Sequence, residues 1–171
     1  MEIGESLVGA YMRHVRHCHT VAFNSFLPNQ QGEIDVIGIS GTGVDQKVWI
    51  AEVAVHLEGL NYGSYARTVE KVRQKVERAL QYAHDVYDAD SPTVEFWSTK
   101  VPPGIVRGLH EIADLDLVLN HEFTRRVNEL AAIADKSTKQ YGDDGFRFLQ
   151  VLTHLVGDKP QFAPPSHLPS P

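Results

Sequence analysis

Two acids in this chain sit where acids are costly. Asp35 lies within Gly32-Glu33-Ile34-Asp35-Val36-Ile37-Gly38-Ile39, and Glu52 within Val48-Trp49-Ile50-Ala51-Glu52-Val53-Ala54-Val55-His56. Each run has the composition of a buried strand, and a carboxylate there is expensive unless something cationic neutralises it. Taken singly, a strand acid is as readily an edge residue or the partner of an Arg or Lys. Two on consecutive strands suggest one shared cation. Carboxylate oxygens are the donors that magnesium and manganese favour, with water filling the remaining positions.

Side chains alternate along a strand. Val48, Ile50, Glu52, Ala54 and His56 therefore share one face of the third strand, and Trp49, Ala51, Val53, Val55 and Leu57 share the other. Glu33, Asp35, Ile37 and Ile39 share a face of the second. If those strands are neighbours, Asp35 and Glu52 can chelate one hard cation.

The elements that must position them follow from periodicity and turn chemistry. Leu7, Val8, Tyr11 and Val15 recur at helical spacing, which predicts a helix over 2–17. Strands are expected at 20–27, closed by Pro28-Asn29, at 33–40 and at 47–57, with Gly41-Thr42-Gly43-Val44-Asp45 turning between the last two as an antiparallel hairpin. A loop over 58–64 leads to the clearest helix, 65–87, with Val69, Val72, Val76, Ala79, Leu80, Ala83 and Val86 on one apolar face. A strand at 93–99, a short helix from Pro102-Pro103-Gly104 to about 113, a strand at 115–119 and helices at 121–136 and 144–156 complete the order. Residues 1–158 read as one α/β domain, a mixed sheet flanked by helices in which the helical crossovers add parallel strands. Residues 159–171 read as a proline-rich disordered tail.

The runs Gly32-Glu33-Ile34-Asp35-Val36-Ile37 and Ile50-Ala51-Glu52-Val53 resemble the active-site strands of the PD-(D/E)xK nuclease superfamily. The closest flavour is its Holliday-junction-resolvase-like members, with "GEIDLI" followed by "VEVK". The resemblance covers about residues 2–87 and extends to Glu5, which takes the place of a glutamate in the family's first helix. It implies a restriction-endonuclease-like fold with an αβββαβ core plus C-terminal helices, and metal-dependent hydrolysis of DNA phosphodiesters. Asp35, Glu52 and the backbone carbonyl of Val53 would hold magnesium or manganese, which would polarise the phosphate and activate water. Glu5 would assist the metal or its water.

The chain departs from the family at one position. A lysine is expected two residues after the glutamate, where it orients water and stabilises developing charge, and Ala54 stands there. His56 shares Glu52's face but lies about 13 Å further along at strand rise. Arg67, Lys71, Lys75 and Arg78 gather on one stripe of the following helix. Lys75 is closest to the apolar border, and Lys71 is nearer the helix start. The stripe is a solvated basic face, a contact for phosphates or the source of the missing lysine. A catalytically inactive nuclease-fold protein that binds nucleic acid or a protein partner is the alternative, and pairing of the last two helices with a second copy would make a homodimer.

Other features carry less. His14, His17, Cys18 and His19 cluster at a helix end, but no second pair of close ligands accompanies them, as zinc would require. Tyr62 or Tyr65 would stack on a base if the loop covered the site, and otherwise is a buried turn residue. A net charge of -6 argues against a protein that coats nucleic acid but allows a local basic groove. No apolar run is long enough to span a membrane, the N-terminus has no signal-peptide pattern, and the single cysteine excludes an internal disulfide, so the cytoplasm is the expected compartment.

Overall fold

The computed structural model describes residues 2–27, 32–89 and 91–157. The expected Pro28-Asn29 turn and the expected tail lie outside the described residues. The chain runs α1 (Ile3–His14), β1 (Thr20–Phe26), β2 (Glu33–Ser40), β3 (Lys47–Val53), α2 (Tyr65–Tyr87), β4 (Thr93–Ser98), α3 (Pro103–Leu109), β5 (Asp116–Leu119), α4 (His121–Ala134) and α5 (Asp144–Thr153). The five strands form one mixed sheet in the order β1-β2-β3-β4-β5. β1, β2 and β3 pair antiparallel, as short connections allow. β4 and β5 add parallel after the helical crossovers α2 and α3.

Helices cover both faces of the sheet, which is why its central strands read as almost unbroken apolar runs. On one face Ile37, Ile50, Val94 and Phe96 pack against Val72, Val76, Ala79 and Ala83 of α2 and Ile105 and Leu109 of α3. On the other, Val36, Ala51, Trp97 and Val118 pack against Val8 and Met12 of α1, Phe123 and Leu130 of α4, and Phe146 of α5. The buried side of α2 also includes Thr68 and Tyr82, whereas Val86, expected on that side, is exposed.

α2 is well delimited. Ser64 caps its start by accepting from the Arg67 amide, and Asp88 ends it in the left-handed conformation, φ 51°. The helix follows the loop after β3 and brings Lys75, in its third turn, to the strand ends that carry the acids.

β3 stops at Val53, short of the expected 57. The last β2–β3 pair is Val36 with Ala51. One step further out, the Val53 amide donates to the Asp35 carboxylate at 2.8 Å. The Ala54 amide turns to the Trp97 carbonyl of β4 at 2.9 Å. β3 thus stays with β4 while parting from β2, and the fork opens at Asp35 and Glu52. Beyond it, Gly59 (φ 106°) closes a turn by donating its amide to the His56 carbonyl. The start of α1 rests on the same end of β3: a Cβ on Gly4 would lie 2.6 Å from a Val55 methyl, so only glycine permits the approach. No helix among the described residues is long and apolar enough to cross a membrane.

Candidate active site

The fork between β2 and β3 brings Asp35 and Glu52 to the face covered by α2. The β2–β3 register, continued one residue past Val36 and Ala51, sets the two acids opposite each other. Lys75 of α2 reaches both. Its Nζ donates to Glu52 Oε2 at 2.6 Å and to Asp35 Oδ2 at 3.3 Å. Lys75 lies beside the buried stripe of Val72 and Val76, so its stem crosses apolar surface before the ammonium meets the acids.

Burial sets the electrostatics. Glu52 is fully buried, and desolvation pushes its pKa up to about 7, with Lys75 opposing and Asp35 adding to the rise. Burial also opposes the charge on Lys75, but the Glu52 and Asp35 carboxylates outweigh it and hold its pKa above the usual lysine value. Lys75 is therefore a fixed cation near neutral pH, while Glu52 is poised to lose or gain a proton there.

The unpaired oxygens test the fit of a metal. Asp35 Oδ2 takes the Val53 amide and Lys75, and Glu52 Oε2 takes Lys75. Glu52 Oε1 is buried with no hydrogen-bond partner among the described residues. An orphaned carboxylate oxygen in a dry site is costly unless a ligand completes it. No group of three or more His, Cys, Asp or Glu that could hold a metal occurs among the described residues. Two carboxylates alone suit magnesium, which keeps several waters and shares its remaining positions with substrate phosphates, and they do not suit structural zinc.

The other candidates are placed differently. Lys71 is exposed, with its ammonium 4.6 Å from the centre of the Tyr62 ring. His56 lies past the end of β3, exposed, and meets the edge of that same ring at 5.8 Å. The turn that removes it from the strand also removes it from Glu52's face. Glu5 is buried at the start of α1 and forms a reciprocal capping box with Glu2, accepting the Glu2 amide at 3.0 Å. No hydrogen bond or ion pair joins Glu5, His56 or Lys71 to Asp35, Glu52 or Lys75 among the described residues. The histidine and cysteine cluster disperses: His14 bonds Asp143, His19 bonds Thr20 and the Gly41 carbonyl, and burial pushes the Cys18 thiol up to about 11, leaving it unreactive.

A third buried strand acid lies on the opposite face. Glu95 of β4 is fully buried and binds Arg126 at 2.8 Å, Arg16 at 3.0 Å and the Trp97 indole at 3.0 Å. Its oxygens are matched by protein donors, so it ties the segment just after α1, and α4, to the sheet and offers a cation no open position. Arg126→Met is expected to destabilise the protein by about 3–5 kcal/mol, because one partner of a buried pair is lost. Urea denaturation reads the change, and a loss within about 1 kcal/mol would mean that Arg16 alone satisfies Glu95.

No family model, curated protein or solved structure matches this chain.

Proposed function

We propose that the protein is a divalent-metal-dependent hydrolase of DNA phosphodiesters, with a restriction-endonuclease-like site built from Asp35, Glu52 and Lys75. One observation carries the reading: Lys75 of α2 lies between the two acids and bonds both, which supplies the kind of group that the resemblance leads one to expect where Ala54 stands. Two acids and a lysine at a strand fork are the minimal kit for this chemistry. The orphaned Glu52 Oε1 supports a cation there. A magnesium or manganese ion held by Asp35, Glu52 and the Val53 carbonyl would polarise the scissile phosphate and lower the pKa of the attacking water.

The protein's own residues do the rest. The Val53 amide fixes Asp35, so that carboxylate is oriented before substrate arrives. The apolar surroundings that bury Glu52 exclude water and so strengthen the charge interactions in the fork. Lys75 stays protonated, which excludes it as a proton acceptor and suits it to hold a water or a phosphoryl oxygen as negative charge develops. Arg67 and Lys71, exposed on the same helix, supply local positive charge to a chain that is acidic overall.

The test is magnesium- or manganese-dependent cleavage of plasmid and branched DNA by the wild type, Asp35→Ala and Glu52→Ala. Each substitution is expected to lower the rate by at least about 100-fold. Cleavage that survives both unchanged would place the site elsewhere.

A second reading, a nuclease fold retained for binding a protein partner, is favoured by the apolar side chains that α5 and the residues after it leave in solvent. Phe148, Val151 and Leu155 are all exposed at helical spacing. Calorimetry separates the two, since the inert fold would take up no magnesium or manganese at millimolar concentration.

A further inference from the structure

We propose that Arg78 is a second phosphate-binding cation of this site, which holds the phosphodiester next to the scissile one on the β1 side of the fork. This rests on the phosphodiesterase reading above and adds a residue to it. Of the four cations on the α2 stripe, Lys75 is spent on the acids, and Arg67 and Lys71 are exposed. Arg78 is half-buried and makes no ion pair among the described residues, where its Nε is also buried without a hydrogen-bond partner. Water satisfies an exposed cation. A guanidinium partly withdrawn from water needs acceptors of its own, and its N–H groups form a fixed fork that suits two oxygens of one anion.

The guanidinium lies at the end of the sheet where the fork opens. A Cβ on Gly32 would stand 2.9 Å from Arg78 Nη1 and 3.5 Å from its Cζ, so the group rests against bare backbone three residues before Asp35. The Leu27 amide donates to the Gly32 carbonyl at 3.4 Å and ties β1 to β2 there. The charge reaches the acids: Arg78 joins Lys75 in opposing the rise of the Glu52 pKa. Yet no carboxylate bonds it among the described residues. Asp35 and Glu52 are held by Lys75 and the Val53 amide, and Glu33, next to Gly32, stands exposed.

β1 gives way on this side of the acids. Asn24 takes a left-handed backbone, φ 48°, inside the strand. The register that pairs Phe23 with Val36 and Ser25 with Ile34 sets Asn24 opposite Asp35, and that pair alone is missing from the β1–β2 ladder. Asp35 is therefore unpaired toward β1 as well as lying past the last β2–β3 pair. Lys75 and Arg78 are about 4.5 Å apart along the axis of α2. A strand that lays its scissile phosphate on Lys75 brings the next phosphate to Arg78. Lys75 is a point charge and attracts without orienting, whereas a guanidinium that takes two oxygens of one phosphate fixes the register of the strand over the acids.

The test is fluorescence anisotropy of the full chain with one labelled DNA duplex across a salt series, in EDTA so that no strand is cut. Arg78→Gln, Arg78→Lys and Arg73→Gln are compared with the wild type. Arg73 lies about 200° around the helix from Lys75 and pairs with Glu70 at 3.6 Å, so its loss makes the same change in net charge away from the acids. Arg78→Gln is expected to weaken binding about tenfold and to lower the slope of log affinity against log salt by about 0.9, the share of one phosphate. Arg78→Lys is expected to keep the slope and lose part of the affinity, and Arg73→Gln to match the wild type in both. In magnesium, Arg78→Gln should raise KM with little change in kcat, as loss of uniform binding does. An unchanged slope in Arg78→Gln would overturn the proposal, as would an equal loss in Arg73→Gln. A change in manganese affinity, read by calorimetry, with the slope intact would also overturn it, since Arg78 would then only neutralise Glu52. Should the glutamine variant fail to fold, Arg78→Lys decides, and wild-type affinity and KM in that variant would overturn the proposal. A lowered slope in Arg78→Gln without wild-type cleavage in magnesium or manganese would uphold the phosphate contact and remove the hydrolase. Wild-type cleavage with an unchanged slope in Arg78→Gln would do the reverse.

Discussion

Lys75→Met is expected to lower magnesium-dependent DNA cleavage by about 100- to 1,000-fold, the usual loss when a fixed charge aimed at a reacting centre is removed. Methionine keeps the apolar stem that lies along the border of α2 and deletes only the ammonium. The substitution also removes the cation that competes for Glu52 Oε2 and Asp35 Oδ2. Affinity for manganese, read by calorimetry, should therefore hold or rise while turnover falls. A residue that merely held the fork together would lower both. Adding Ala54→Lys to Lys75→Met places an ammonium on Glu52's face of the sheet, two residues along, and should restore part of the lost rate. Full activity of Lys75→Met would mean that the bridge is structural, and cleavage by the double variant no better than by the single one would mean that α2 delivers the lysine in a geometry β3 cannot reproduce.

The order of elements and the faces of β2, β3 and α2 are legible in the sequence because each is buried on a predictable side. The alternation that puts Glu52 with Ile50 and Ala54 holds in the structure, and the short hairpin sets Asp35 beside it. The choice among Lys71, Lys75 and His56 is not legible. Lys71 and Lys75 are neighbours on one stripe and differ by about 6 Å along the axis of α2, and only the docking of that helix on the sheet decides which meets the acids. His56 falls out of register because β3 ends when the Val53 amide is spent on Asp35, a long-range bond that no local period announces.

Glu95 marks the limit of the rule that singles out Asp35 and Glu52. It is an acid in an equally apolar run, Thr93-Val94-Glu95-Phe96-Trp97, and it is just as buried. Its neutralisers, Arg16 and Arg126, arrive from 79 and 31 residues away in sequence. A buried strand acid predicts a cation, but whether that cation is an arginine or a metal depends on which helix packs over it. The distinguishing mark is an oxygen left over: Glu52 has one and Glu95 does not.

That leftover oxygen predicts a trade between stability and function. Glu52→Gln is expected to make the metal-free protein more stable at pH 8 and to change it little at pH 4.5. The folded-state pKa of Glu52 is about 7, against 4.5 for an ordinary glutamate. Below pH 4.5 the carboxyl is protonated in both folded and unfolded chains, and Glu52 contributes no pH dependence. Between 4.5 and 7 the unfolded chain loses its proton while the folded chain keeps it. The folded state then binds more protons, so stability falls as pH rises through this window. Above 7 both states are ionised and the loss stays constant. The span corresponds to at most about 3 kcal/mol, or several degrees in melting temperature for a chain of this length. Glutamine has no proton to lose, and its carbonyl still accepts from Lys75. The variant should therefore pull ahead of the wild type across this window and hold its lead above it, while losing manganese binding and cleavage. Thermal melts in EDTA at pH 5 and pH 8 read the first part, and calorimetry the second. A gap of equal size at both pH values would mean that Lys75 keeps Glu52 ionised throughout. A variant less stable than the wild type at pH 8 would mean that the bridge stabilises the fold by more than the buried charge costs it.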